Sequence, residues 1–428
     1  PEARDDSIPA THRVRGARAL LFAVGALALL TGVFGLAFHD IDSADIWTHL
    51  AAGEDILSNQ RVPRLDPFDH GLTPRPWINT QWLTDVVLAL LMRLGGPTAL
   101  VLWSCLLVSV IVAVPLVLAY RRVGPHSALL FGGLVTSLIV NERFLVRPEL
   151  VTLLALVLVH AALCQLRPLR PRHVAWLFVG QVVWTNAHPA FLLGPLLVGL
   201  HLVSAVLDRW RQRQASMTQV RQTAVALAAT LVATLLNPWG IRLPWHTITA
   251  VVDMSQAHLR QGIVEWQPTF AGPVASDLTL LAFIASLAWS IVVLWVARRR
   301  ASLYEVLVVL ALTALALQAR RHLAVYAVVV PPWLALQTVL SLSTAWQQAV
   351  RWRLILRTLS LVAMVMLSLW LSLDVWRGLF YERFGPPRQR GAAFSTIDHP
   401  TAAIETFQSV GRPLPLFNNV AAGSHLLW

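Results

Sequence analysis

The stretch "FHDIDSADIWTHL" (38–50) puts Asp40, Asp42, Asp45, His39 and His49 directly after an apolar run, 19–38, that carries no charge. Asp42, Asp45 and His49 stand at i, i+3 and i+7, one face of a helix that starts near Ser43. Asp40 and Asp42 form a literal D-x-D. Carboxylates so spaced can hold a hard cation, Mg²⁺ or Mn²⁺, through oxygen, with Asp40, Asp42 and Asp45 as the candidate ligands; alternatively one acts as base while another tunes it. Helix capping accounts for part of the pattern, since Asp42 or Ser43 is a natural N-cap and Asp45 suits the first turn. It does not account for three aspartates plus His49.

Other chemistry-bearing groups lie where apolar runs end. Arg143, Arg147 and Glu149 in "NERFLVRPEL" and Arg320, Arg321 and His322 in "QARRHLAV" are two basic clusters able to clamp a phosphate, with snorkelling to lipid headgroups as the plainer role. "WTNAHPAF" sets Asn186 and His188 beside Pro189, where a polar group in an apolar run needs a partner; helix-to-helix bonding suits Asn186. Glu265 in "VEWQP" is a further carboxylate, "LLNPWG" reads as a helix stop, and Asp66 and Asp69 in "LDPFDH" read as turn formers.

What must position these residues is a membrane domain. Of 428 residues 56% are hydrophobic and 13% charged, with a mean hydropathy of +0.61. Apolar runs separated by charge clusters predict an all-α polytopic protein with about eleven spans, near 18–38, 97–119, 126–141, 147–164, 174–189, 190–207, 222–239, 276–296, 302–318, 322–342 and 354–374. The domain order expected is a cytoplasmic tail (1–17), a helical domain (18–374) and the start of a non-cytoplasmic C-terminal domain, cut short, in 375–428. Within the helical domain, 39–96 is a long outer loop of interfacial helices, with Trp47, Trp77 and Trp82 suited to the headgroup zone, and 240–275 is a second long outer loop. All 34 basic residues are arginine, and more than half fall on the N-terminal tail and the alternate short loops that follow it. That is the positive-inside pattern of an inner-membrane protein with its N-terminus in the cytoplasm and C-terminus outside, and it explains the charge of +12 without a nucleic-acid partner. The first span reads as an uncleaved anchor. Cys105 and Cys164, in separate spans, read as packing residues. The basic loops hold neither a phosphate-binding glycine loop nor paired carboxylates, so substrates must come from the membrane or from outside.

The ordered stretches "SADIWTHLAAG", "VPRLDPF", "PWINTQWL", "VRPEL", "WTNAHPAF", "LNPWG", "VEWQP" and "ARRHLAV" resemble those of a group of bacterial membrane proteins whose first outer loop reads D-x-D-x-W-W-H-L. More broadly the chain looks like the GT-C superfamily of polytopic glycosyltransferases. Ser43 stands at the first Asp of the group's run and Thr48 at its second Trp, so Asp42 or Asp40 would have to compensate. The resemblance implies transfer of a sugar from a polyprenyl-phosphate-linked donor, among membrane lipids, to an acceptor on the non-cytoplasmic face. It assigns catalysis to Asp45, His49 and Glu265, and phosphate or donor binding to Arg147, His188, Arg320 and Arg321; the residues themselves add Asp42 to the catalytic candidates and Arg143 and His322 to those for phosphate or donor. A transporter or flippase of a lipid-linked or anionic solute and a non-catalytic assembly protein are the alternatives.

Overall fold

The computed structural model describes residues 7–68, 75–166, 168–211, 216–253, 264–271, 277–345, 350–384, 388–396 and 399. Asp69 and most of the expected C-terminal domain lie outside the described residues.

Fifteen helices follow in chain order among the described residues: α1 (Ser7–Ala37), α2 (Asp45–Asn59), α3 (Trp82–Val123), α4 (Ser127–Val140), α5 (Glu149–Gln165), α6 (Pro171–Ala187), α7 (Leu193–Trp210), α8 (Met217–Ala233), α9 (Arg242–Asp253), α10 (Leu278–Ala297), α11 (Leu303–Gln318), α12 (Leu323–Ala327), α13 (Val330–Ala345), α14 (Val350–Trp376) and α15 (Leu379–Phe384). The apolar runs dictate this outcome, because in lipid a chain must satisfy its backbone polar groups within the segment. By length and composition, six helical segments can cross a membrane, within α1, α3, α7, α10, α12 to α13 and α14; α5 and α11 are shorter apolar helices. Helices occupy all eleven expected ranges, yet α4, α6 and α8 are not among these eight.

Residues 82–123 are two helices meeting at a kink at Gly95 and Gly96, where the φ of Gly96 reaches +61°. The second piece begins at Pro97, whose missing N–H costs nothing in a first turn. In "LLNPWG" the Asn237 amide donates to the Thr234 and Gly240 carbonyls, and Gly240 takes a φ of +56°, so the expected stop is built.

The bundle has two chemically distinct ends. At one, Arg18 donates to the Pro125 carbonyl (3.1 Å), Ser127 meets Ser360 (3.0 Å) and Arg300 reaches the Leu340 carbonyl (2.6 Å), gathering arginine-bearing helix ends. The other end holds the termini of α4, α6 and α11 and the start of α5, joined by short 3-10 turns at 141–143, 189–192 and 320–322. Cys105 is fully buried and Cys164 half-buried on different helices, and both are free thiols.

The first loop is not a separate layer. Helix α2 packs along α3, with Ile46, Trp47 and Leu50 buried. Trp47, expected among headgroups, is only 3% exposed: its indole stacks on Phe394 (4.2 Å between centroids) and donates to His399 Nδ1 (3.0 Å). The segment 388–396 returns to the first loop through a parallel bridge between Ile41 and Phe394. The α2–α3 contact is so close that a Cβ on Gly53 would lie 2.1 Å from the Asp85 carbonyl oxygen. Gly53→Ala should therefore cost about 2 kcal/mol by overpacking. Gly180→Ala, where nothing lies within 4 Å, should be neutral or slightly stabilising. Thermal unfolding in detergent checks the pair, and equal midpoints would refute the packing argument.

Candidate functional site

Where α4 ends, "NER" forms a 3-10 turn that carries Arg143, and a bend through 145–148 brings Arg147 and Pro148 to the head of α5, whose first residue is Glu149. Arg321 stands in the 3-10 turn after α11, and Glu265 in another at 264–266. Asp45 and His49 lie one turn apart on α2, as the spacing required. These residues meet around a cavity of about 250 Å³, with His188, Thr48 and Gln81 also in its wall.

Glu265 is the electrostatic centre. Its carboxylate receives Arg143 (2.6 Å), Arg147 (3.5 Å) and Arg321 (3.8 Å). Arg143 also faces Glu149 (3.5 Å), and Arg147 reaches Asp45 (3.2 Å) and the Ser43 hydroxyl (2.9 Å). The Arg321 guanidinium lies over the Trp266 ring at 4.2 Å, a cation–π contact with the residue next to Glu265. Burial alone would raise the Glu265 carboxyl, but Arg143, Arg321 and Arg147 outweigh it and hold it below the ordinary carboxylate range. Burial opposes the charge on Arg143, which Glu149 and Glu265 more than restore, raising it above its ordinary value.

The histidines are held from behind. His49 Nδ1 meets Asp85 Oδ1 at 2.8 Å, and Asn79 donates to the other Asp85 oxygen (2.7 Å). Asp85 is 2% exposed. This carboxylate fixes the tautomer with a proton on Nδ1 and leaves Nε2 basic. His188 Nδ1 takes hydrogen bonds from the Ala190 N–H (3.3 Å) and the Thr152 hydroxyl (2.8 Å), which in turn accepts from Trp184 (2.7 Å). Its proton thus sits on Nε2.

Other expected site residues are placed elsewhere. Asp40 accepts from the Ala393 N–H (3.0 Å), and Asp42 pairs with Arg388 (3.3 Å), so both tie the first loop to the returning segment. Asp40, Asp42 and Asp45 each have a different cationic or N–H partner, and no group of three metal-ligating side chains gathers among the described residues. The D-x-D does not fit a shared Mg²⁺ or Mn²⁺ site. Arg320 is spent on Glu142 (2.9 Å) and on Asp277, which caps α10, and His322 donates to the Leu315 carbonyl (3.0 Å). Neither lines the cavity. Asp45 lies at the cavity's edge, with a 59% exposed side chain. Asn186 bonds to Trp82 and to the Val182 and Leu236 carbonyls, the helix-to-helix role expected of it. Asp85 and Asn79 went unmarked in the sequence because "WLTDVV" reads as an ordinary helix start, where an early acid needs no further reason.

No family model and no curated protein matches the chain. Among solved structures, the Archaeoglobus fulgidus oligosaccharyltransferase in the apo form matches with a TM-score of 0.51, at 12% identity over 84% of this chain and 56% of that one. The archaeal oligosaccharyltransferase AglB from the same organism, in complex with an inhibitory peptide and a dolichol-phosphate, matches with a TM-score of 0.52, again at 12% identity and the same coverage. The chain spans little more than half the length of these proteins. The likeness is one of fold.

The pH dependence of the site follows from Glu265. Its depressed value means that its contribution is complete above the ordinary 4.5 and is lost as pH falls below that through the folded-state value. The unfolding midpoint should fall more steeply below pH 4.5 in the wild type than in Glu265→Gln; equal slopes would count against the three-arginine clamp.

Proposed function

We propose that this chain, a membrane protein of GT-C-like fold, transfers a sugar from a polyprenyl-phosphate-linked donor to an acceptor on the non-cytoplasmic face of the inner membrane. One observation carries the reading: three guanidiniums converge on a single carboxylate beside a histidine whose outer nitrogen is basic. A cluster that holds Glu265 in this way has the donors and charge to hold a phosphate. The neighbour structured with a dolichol-phosphate supports a lipid-linked donor of the same chemical kind.

In this reaction the acceptor oxygen attacks the anomeric carbon and the bond from that carbon to the phosphate oxygen breaks. Arg143, Arg147 and Arg321 stabilise the second negative charge that appears on the leaving lipid phosphate. His49 Nε2 takes the acceptor proton, and Asp85 orients the ring and offsets the imidazolium charge. Asp45 keeps Arg147 in place and His188 Nε2–H faces donor groups as a hydrogen-bond donor. Arginine-rich loops would face the cytoplasm and the site the outside, with eleven spans between, a first outer loop in 39–96, a second in 240–275 and the C-terminal segment outside. Asp40, Asp42 and Asp45 each have a separate partner, so this reading routes no step through a metal ion.

Incubating the purified chain with a radiolabelled polyprenyl-phosphate sugar and measuring released lipid phosphate tests this. Arg143→Ala or Arg321→Ala should lower turnover about a hundredfold, and His49→Gln should lower it by about the same factor while lipid binding persists. Transport of the intact donor without phosphate release would contradict transfer.

A further inference from the structure

A second cavity, about 570 Å³, opens at the opposite, arginine-rich end of the bundle, between α3, α5, α11 and α13. It lies at the far ends of the same α5 and α11 whose other ends build the catalytic cleft, so the two do not share walls. Its size falls in the range of ligand sites. The deep wall is apolar, made by Val157, Val328, Pro332 and Leu336. Arg121 and Arg122 stand at its mouth.

These two guanidiniums differ from those of the cleft. Arg143, Arg147 and Arg321 all have carboxylate partners, whereas Arg121 and Arg122 form no ion pair among the described residues. The one acid in the wall, Glu305, is engaged in a capping box, accepting from the Ser302 N–H (2.8 Å) and hydroxyl (2.7 Å) at the start of α11. Further in, the Trp333 side chain is 5% exposed and its indole nitrogen has no acceptor among the described residues. Two uncompensated cations above an apolar crevice, with a spare donor at depth, match one class of molecule: an acyl-chain lipid with an anionic phosphate head.

We propose that this crevice binds one anionic phospholipid of the adjoining leaflet, its phosphate on Arg121 and Arg122, its acyl chain along Val328 to Leu336 and its ester oxygens on the side of Trp333. Arginine rather than a hydrated ammonium suits the phosphate, and a chain buried in the crevice separates this site from a loose headgroup contact. The assignment is independent of sugar transfer, since none of these residues touches the cleft.

Native mass spectrometry of the full chain, titrated with phosphatidylglycerol, phosphatidylcholine or glycerol 3-phosphate, tests it. One phosphatidylglycerol should be retained in preference to phosphatidylcholine, and glycerol 3-phosphate should not displace it. Arg121→Gln with Arg122→Gln should weaken retention about thirtyfold, ~2 kcal/mol for two charges. Ala161→Trp, which fills the crevice and keeps both charges, should abolish it. Size-exclusion profiles and unfolding midpoints establish that the variants are folded; a variant that fails this check is replaced by Arg122→Gln alone, expected to lose about fivefold. Equal retention of the two lipids, unchanged affinity in the folded variants, or displacement by glycerol 3-phosphate would overturn the proposal.

Discussion

Three arginines held within reach of one carboxylate at the end of a helical bundle are the constraint on which this structure turns. Bringing Arg143, Arg147 and Arg321 together costs mutual repulsion and desolvation, and neither is tolerable without opposite charge close by. Glu265, Glu149 and Asp45 supply it, and each comes from a different element. The site therefore ties the turn after α4, the head of α5, the turn after α11, the 264–266 turn and α2 into one unit. Under the proposed function an incoming phosphate would offer the guanidiniums what Glu265 offers, so the two anions would compete for them.

The scaffold serves this arrangement by ending helices abruptly. Short 3-10 turns follow α4, α6 and α11, and each turns a side chain across the bundle end instead of along it. Behind the reactive groups, a buried layer fixes orientation: Asp85 and Asn79 behind His49, Thr152 and Trp184 behind His188, and Glu142 and Asp277 around Arg320. At the opposite end of the same helices, Arg121 and Arg122 form no ion pair among the described residues, in contrast to the charge-balanced cluster around Glu265.

Much of this was legible in the sequence because charge is conspicuous in an apolar chain. The helices, the break before Pro97, the stop at "LLNPWG" and the link through Asn186 follow from local rules. Asp45, His49, Arg143, Arg147, His188, Glu265 and Arg321 are widely spaced along the chain, yet they share one cavity. Local rules could not show which of two adjacent arginines turns inward: Arg321 does, while Arg320 is consumed by Glu142 and Asp277. The D-x-D misled for a related reason. Asp40 and Asp42 have partners at 388–393, more than 340 residues away in the chain, and no spacing rule anticipates that return. Trp47 is buried beneath the same returning segment. Asp85 was hidden by its ordinariness, an acid in a first helical turn whose second role appears only when α2 lies against α3.

The central claim is that the arginine cluster is a phosphate site that Glu265 fills in the free chain. A cryo-electron microscopy map of the full chain with a polyprenyl phosphate bound measures this directly. The account predicts phosphate density within hydrogen-bond distance of Arg143, Arg147 and Arg321, with the Glu265 carboxylate displaced from at least one of them. Density for the phosphate elsewhere in the bundle, with Glu265 still clasped by all three, would contradict it.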